Sequence, residues 1–319
     1  MQTHNATDAS IAKLDASRAR RLGSMLVTDI GDFHEPRQVL FDLAKADAKS
    51  LLEIFTKSRE RYATSPFDPY GNKLKFYRKG YTIWSGYPGA GKTTALRQLI
   101  NHLLFTREHV FVASMEEHPV DVIVQLAGVC FGREMPTAHQ LQWFIDYYAE
   151  RLKIWGVTGI ASHKELLGTI QGLASKGQCT QAFIDSLMCL DINSQDFEAQ
   201  RRFANLVAAV TIESDIHLHL VAHPRKAVSV EQEPDINDVA GGADYGRLAH
   251  NVAFLRRGAG ALASHLSPMK IAIRKQRYSP AYHGDIDGWF NRQIRQFKLE
   301  QFDQVPTQYL PKAAYEHEY

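Results

Sequence analysis

The chain has 319 residues, 45% hydrophobic and 23% charged, a composition suited to one large globular domain with an appendage. A net charge of +2 neither demands nor excludes nucleic acid, because a binding surface can be local or built from several subunits. Three widely spaced cysteines, Cys130, Cys179 and Cys189, form no C-x-x-C pair, which excludes a zinc ribbon and a disulfide framework and suits a reducing cytoplasm. No uninterrupted apolar run reaches membrane-spanning length, so the expectation is a soluble cytoplasmic protein without a membrane partner.

The first residues, up to about 15, read as a solvated tail. From Asp42 to Arg61, Leu43, Leu51, Leu52, Ile54 and Phe55 recur among Lys, Asp and Glu, which predicts one amphipathic helix. Pro66, Pro69 and Gly71 then break the chain, so 1–64 is assigned to a tail and linker helix and the main domain starts at 65. Tyr81-Thr82-Ile83-Trp84-Ser85 has the β-branched and aromatic make-up of a buried strand. Gly86-Tyr87-Pro88-Gly89-Ala90-Gly91-Lys92-Thr93 follows and reads G-x-x-x-x-G-K-T. Beyond Thr94, Leu96, Leu99, Ile100, Leu103 and Leu104 fall at helical spacing.

Strand, glycine loop and helix form the setting a phosphate-binding loop requires. The glycines let backbone N–H groups converge, the helix N-terminus adds positive potential, and Lys92 brings a mobile charge. Thr93 offers its hydroxyl to Mg²⁺. A glycine-rich turn with a stray lysine would not fill every fixed position between the right flanks. Gly86 to Thr94 therefore predicts binding of a nucleoside triphosphate, ATP, with Mg²⁺.

Downstream, strands are predicted at 109–114, 181–184, 217–222, 252–256, 269–274 and 289–297, alternating at first with helical stretches. The pattern predicts an α/β fold: a mostly parallel twisted sheet flanked by helices, with antiparallel strands added at the C-terminal end. This domain is drawn over 65–300, with 301–319 as a tail.

The acidic residues decide what happens to the γ-phosphate. Gln181 to Asp185 is an apolar strand ending in an acid, placed to hold the Mg²⁺ shell. Ser186 follows it, so the water-orienting acid must come from elsewhere. Glu116 supplies it, at the end of the strand Val110–Ser114 that follows the P-loop helix. Glu117 reads as a solvated neighbour or a helix-start residue. His223, after the strand ending at Ala222, stands where a polar side chain can sense the γ-phosphate or simply be satisfied structure.

Taken together, five segments resemble the motifs of the DnaB/Twinkle-type ring helicases, phage replicative helicases among them. They are Gly86 to Thr94, Ser114-Met115-Glu116-Glu117, Phe183-Ile184-Asp185-Ser186-Leu187-Met188, Val221-Ala222-His223-Pro224-Arg225-Lys226 and Ile273-Arg274-Lys275-Gln276-Arg277. The resemblance spans roughly 65–300 in motif order. It implies a RecA-like core, a homo-hexameric ring, ATP hydrolysis at subunit interfaces and single-stranded DNA in the channel, unwinding duplex during DNA replication. It also implies roles by matching motif: Lys92 and Thr93 on phosphate and Mg²⁺, Glu116 as base, Asp185 as the Walker B acid, and His223 as sensor. Arg277 becomes an arginine finger reaching the neighbour's γ-phosphate, with Lys275 its companion. Lys270 and Arg274 also read as an exposed basic strand edge.

The segment from Ala227 to Arg247 falls where that family has a DNA-binding channel loop. Here it carries Glu231, Glu233, Asp235 and Asp238, leaving Arg225, Lys226 and Arg247 as phosphate-contact candidates. The stretch ahead of the P-loop lacks a zinc-binding cysteine set and is short for a primase domain, so primase and polymerase are expected as separate partners. Competing readings are a RecA/RadA-like recombination or mediator ATPase, a helicase-like loader or accessory, and a small-molecule kinase. The Lys-Gln-Arg strand end and the intact catalytic set favour the helicase.

Overall fold

The computed structural model describes residues 26–27, 40–41, 47–68, 71, 73–193, 195–225, 233–240, 243–258, 265–278, 281–300, 303 and 305–315. The chain divides between Glu60 and Arg61 into two units. In the first, β1 (Leu26–Val27) pairs antiparallel with β2 (Leu40–Phe41). Its helix α1 (Ala48–Glu60) starts where the Asp47 carboxylate accepts the N–H groups of Lys49 at 3.1 Å and Ser50 at 3.2 Å. Asp47 thus satisfies donors that a helix start leaves open. The earlier part of the predicted helix, 42–46, lies outside the described residues.

The second unit opens with a hairpin of β3 (Tyr62–Thr64) and β4 (Lys75–Tyr77), then builds one nine-stranded sheet. Its strands are β5 (Gly80–Ser85), β6 (Val110–Ser114), β7 (Leu152–Ile154), β8 (Gln181–Asp185), β9 (His217–Val221), β10 (Asn251–Arg257), β11 (Leu266–Gln276), β12 (Gly284–Asn291) and β13 (Gln296–Lys298). Their order is β13-β12-β11-β10-β5-β9-β8-β6-β7. The pairings from β10 to β7 are parallel, and β11, β12 and β13 are antiparallel additions.

Both faces of the central strands are covered, and every residue of β5, β6 and β9 is buried. Alternation along β5 sends Trp84 to one core and Tyr81 and Ile83 to the other. The first core packs α2 (Lys92–Phe105), α3 (Pro119–Phe131) and α4 (Ala138–Tyr148) through Leu96, Leu99, Leu126 and Phe144. The second packs α5 (His163–Ser175), α6 (Phe197–Glu213) and α7 (Ala243–Leu248) through Leu166, Ile170, Phe203, Val207 and Tyr245. Cap chemistry sets several of these starts: Thr137 and Gln140 form a reciprocal capping box on α4, and Asp196 accepts from Ala199 N at 2.8 Å on α6.

Three features depart from the sequence expectation. The predicted strand 289–297 is two strands, β12 and β13, joined by a turn with no glycine. Arg295 takes the left-handed conformation at φ 54°, and the Asn291 side chain accepts Gln293 N at 3.0 Å. The stretch read as a tail, 301–319, contributes to the core instead, with Tyr309 and Leu310 buried. Tyr315 Oη bonds Cys130 O at 3.1 Å, and a Cβ on Gly132 would meet Pro306 at 2.5 Å.

The third departure is polar: His217 and His219 lie fully buried in the middle of the sheet. Their rings are satisfied. His217 bonds Tyr77 O at 2.6 Å and Thr82 Oγ1 at 2.8 Å. His219 accepts from Trp84 Nε1 at 3.1 Å, bonds Gln181 Oε1 at 3.1 Å and stacks on Phe183. Burial drives the His217 pKa down to about 3 and that of His219 well below the ordinary histidine value, so both rings stay neutral.

Candidate active site

The loop after β5 is built for close approach to phosphate. Gly89 and Gly91 have φ of 76° and 86°, which favours glycine, and Gly91 hands the chain directly to α2. Gly86 is required for a second reason, since a Cβ there would sit 2.3 Å from Leu255 O on β10. Lys92 Nζ donates to the carbonyls of Gly86 at 2.5 Å and Tyr87 at 3.1 Å, and so lies folded over its own loop. Burial lowers its pKa, and the nearby carboxylates of Asp185 and Glu116 oppose that shift.

A cavity of about 460 Å³ opens against Gly89 to Thr94, walled on its far side by Arg257, Met269, Phe290 and Arg292. Arg292 is held there by Ser267 Oγ at 2.9 Å. Its polar floor and aromatic wall match the two halves of a nucleotide, phosphate and base. Arg257, Phe290 and Arg292 escaped sequence analysis because only the sheet order brings β10 and β12 beside the loop.

The acids arrive on neighbouring strands. Ser114 of β6 is paired in register with Asp185 of β8, which puts Glu116 and Asp185 at the same end of the sheet. Asp185 is nearly buried, and burial, with Glu116 and Glu117 beside it, raises its pKa to about 6 against the pull of Lys92 and Arg97. A carboxylate so placed gains from a divalent cation nearby. The two glutamates are sorted by their partners. Both carboxylate oxygens of Glu117 accept from Arg97 Nη2 on α2, at 2.7 and 2.6 Å. Glu116 is exposed and accepts Ser186 Oγ at 2.7 Å, with Cys189 Sγ 3.9 Å from the same oxygen. Glu116 is thus the oriented, solvent-facing carboxylate and Glu117 the structural one.

Among the described residues no group of three or more His, Cys, Asp or Glu forms a metal cage. Mg²⁺ keeps waters and substrate phosphates as ligands and needs only one or two protein oxygens. The Thr93 hydroxyl and the Asp185 carboxylate are hard oxygens of the right kind. His223 follows β9, the strand between β5 and β8, and its carbonyl accepts Ala240 N at 2.8 Å.

Lys275 and Arg277 lie elsewhere. Gln276 pairs with Asn251, and Asn251 with Thr82, so the end of β11 is level with the start of β5. Arg277 N donates to His250 O and His250 N to Tyr81 O, both at 2.8 Å. From Tyr81 to Gly86 the strand rises roughly 16 Å at about 3.3 Å per residue. Arg277 therefore stands at the opposite end of the sheet from its own P-loop. There Lys275 Nζ bonds the carbonyls of Gly246 at 2.9 Å and Arg247 at 2.6 Å, and Arg277 Nη2 that of Arg247 at 3.3 Å. Burial, with Arg277 alongside, brings the Lys275 pKa down to about 8. Of the candidate DNA contacts, Arg225 and Arg247 are exposed, and Lys226 lies outside the described residues.

A P-loop on the central strand, an acid two strands away and a second acid on the next strand define a P-loop NTPase core of the RecA-like type. No protein-family profile and no curated protein matches the chain. Solved structures do. The isolated ATPase domain of one DnaB-like replicative helicase superposes with a TM-score of 0.62 at 16% identity, covering 79% of this chain and 99% of that one. A second DnaB-like replicative helicase, described with its interactions with primase, gives 0.62 at 16% identity over 81% of this chain and 67% of that one. The chain has the fold of the DnaB-like helicase ATPase domains.

Proposed function

We propose that this protein is a subunit of a DnaB-type ring helicase that hydrolyses ATP to move along single-stranded DNA and open duplex during replication in the cytoplasm. The observation that carries the reading is the split site. Lys92, Thr93, Glu116 and Asp185 gather at one end of the sheet, while Lys275 and Arg277 stand at the other. A cationic pair that cannot reach its own P-loop can serve that of a neighbouring copy, and a closed ring of such contacts gives the hexamer.

In that site the triphosphate lies along Gly86 to Thr94, with Phe290 against the base and Arg257 and Arg292 flanking it. Lys92 turns from its loop carbonyls to the β- and γ-oxygens. Glu116, steered by Ser186, takes a proton from the water attacking the γ-phosphorus as the bond to the leaving ADP breaks. Thr93 and Asp185 would hold Mg²⁺, which when bound would supply charge neutralisation to the phosphates. His223 reports the γ-phosphate to the segment that follows it. Arg277 and Lys275 of the next copy stabilise charge on the transferring phosphoryl group. Primase would be a separate partner.

Mass measurement with and without nucleotide, paired with hydrolysis in the presence of oligo-dT, tests the reading. A six-fold particle with strand-stimulated hydrolysis is expected. A monomer whose hydrolysis ignores DNA would favour a kinase or accessory role, and an open filament the recombination ATPase.

A further inference from the structure

We propose that His250 is a positioning residue for Arg277: its ring, packed on Gly80 and Tyr278, fixes the main chain that carries the finger to the neighbouring copy. The inference rests on the trans-finger reading above and adds to it the residue that holds the finger in place.

His250 stands where three strands meet at the amino end of the parallel sheet. The pairing of Asn251 with Gln276 continues one step past β10 and β11, through Arg277 N to His250 O at 2.8 Å. The next step across the sheet runs from His250 N to Tyr81 O on β5, also at 2.8 Å. Arg277 itself is exposed and lies one residue beyond the end of β11. Where its guanidinium is displayed therefore depends on what holds residue 250.

The buried ring does the holding. A Cβ on Gly80 would lie 2.6 Å from His250 Cγ and 2.7 Å from Nδ1, so the imidazole sits directly against the Gly80 backbone. Gly80 is not in the left-handed region, and it is the ring that demands a glycine there. Tyr81 N donates to His250 Nδ1 at 3.4 Å. The imidazole also meets Tyr278, the residue after Arg277, with ring centroids 5.4 Å apart, and Tyr278 meets Tyr77 at 4.7 Å. A ring packed against both the start of β5 and the residue that follows the finger leaves residue 250 little freedom to shift. Burial, with Arg277 and Lys275 close by, brings the His250 pKa down to about 4, so the ring stays neutral and adds no third charge beside the two cations.

The test adds His250→Ala to one or the other of two complementing chains. Lys92→Ala protein donates an intact finger and Arg277→Ala protein an intact P-loop. Differently tagged copies are co-expressed, purified through both tags and assayed for hydrolysis with oligo-dT. On the Lys92→Ala chain, the finger donor, His250→Ala should cut the regained hydrolysis about tenfold or more, since a misplacement of about 1 Å can cost about 10²-fold. On the Arg277→Ala chain it should leave that hydrolysis nearly unchanged. In the otherwise unaltered chain, His250→Ala should lower kcat with little change in the KM for ATP, because the P-loop of the same chain lies at the far end of the sheet. An equal loss in both placements marks a ring that only supports the fold and overturns the proposal, as does a loss in neither. Should His250→Ala fail to fold, Gly80→Ala, which pushes the ring aside, is placed on the two chains in the same way and read by the same outcomes. Lys92→Ala and Arg277→Ala proteins that never complement remove the finger reading and this proposal with it, whereas complementation indifferent to His250 removes only the proposal.

Discussion

The two ends of the parallel sheet are built differently. At the carboxyl end, Lys92, Glu116 and Asp185 come at or after the ends of three separate strands; burial lowers the Lys92 pKa and raises that of Asp185, and the charges of the cluster act on top of it. At the other end, Lys275 on β11 and Arg277 just after it rest on the carbonyls of Gly246 and Arg247. One end gathers charged side chains from several elements, while the other holds a cationic pair fixed on backbone carbonyls. The contrast teaches that the two cations lie a full strand length from the P-loop of their own chain, and the proposed finger role depends on that separation.

The largest effect expected follows from that separation. Arg277→Ala should lower strand-stimulated hydrolysis by about 10³-fold or more, the scale of a finger supplied in trans. Co-expressed with Lys92→Ala protein, it should regain part of the activity that each variant lacks alone, because some interfaces then pair an intact Lys92 with an intact Arg277. Near-normal hydrolysis by Arg277→Ala alone would remove the finger, and a dead variant that never complements would place Arg277 in its own subunit's site.

Next in size is the sorting of the two glutamates within the carboxyl end. Glu116→Gln should cut hydrolysis by about 10²–10⁴-fold, the usual worth of a positioned base, while fluorescent nucleotide still binds. Glu117→Gln should instead loosen the Arg97 pair, lowering the melting midpoint slightly and changing the rate only a few-fold. Equal rates for Glu116→Gln and wild type would pass the base role to Glu117.

The smallest effect concerns the sheet between the two ends. His217 and His219 are neutral when folded, with pKa values of about 3 and well below the ordinary value, yet they titrate near 6.5 once unfolded. Below pH 6.5 the unfolded chain binds protons that the folded one refuses, so stability falls with acidification towards pH 3. At pH 5 the cost is at most about 2 kcal/mol per ring. Asp185, raised to about 6, works in the opposite sense and offsets part of it. His102 and His250, both lowered to about 4 by burial, add to the same trend, so melting midpoints between pH 7.5 and pH 5 should decline, and a flat profile would overturn the neutral assignment of these buried rings.

Much of the carboxyl end was legible in the sequence because its signals are local. A glycine loop between strand and helix, and acids at the ends of apolar runs, need only a few consecutive residues to be seen. Arg257, Phe290 and Arg292 were not legible, since they reach the cavity through a sheet order that joins residues some 170 to 200 positions apart. The β12–β13 turn was missed because Arg295 takes a left-handed conformation that sequence rules reserve for glycine or asparagine. His217 and His219 give no warning either, as their partners Tyr77, Thr82, Trp84 and Gln181 lie on other strands.

The closing segment bears on how the domain is made. Gln98 on α2 exchanges two hydrogen bonds with Phe297, at 3.1 and 2.6 Å, and Tyr315 Oη accepts Tyr309 N at 3.0 Å while bonding Cys130 O. Helices synthesised early thus keep an uncovered apolar side until residue 315 has left the ribosome. Such late, long-range closure is slow and leaves the nascent chain open to wrong partners. During translation the surface of α2 and α3 is the one a holding chaperone would find.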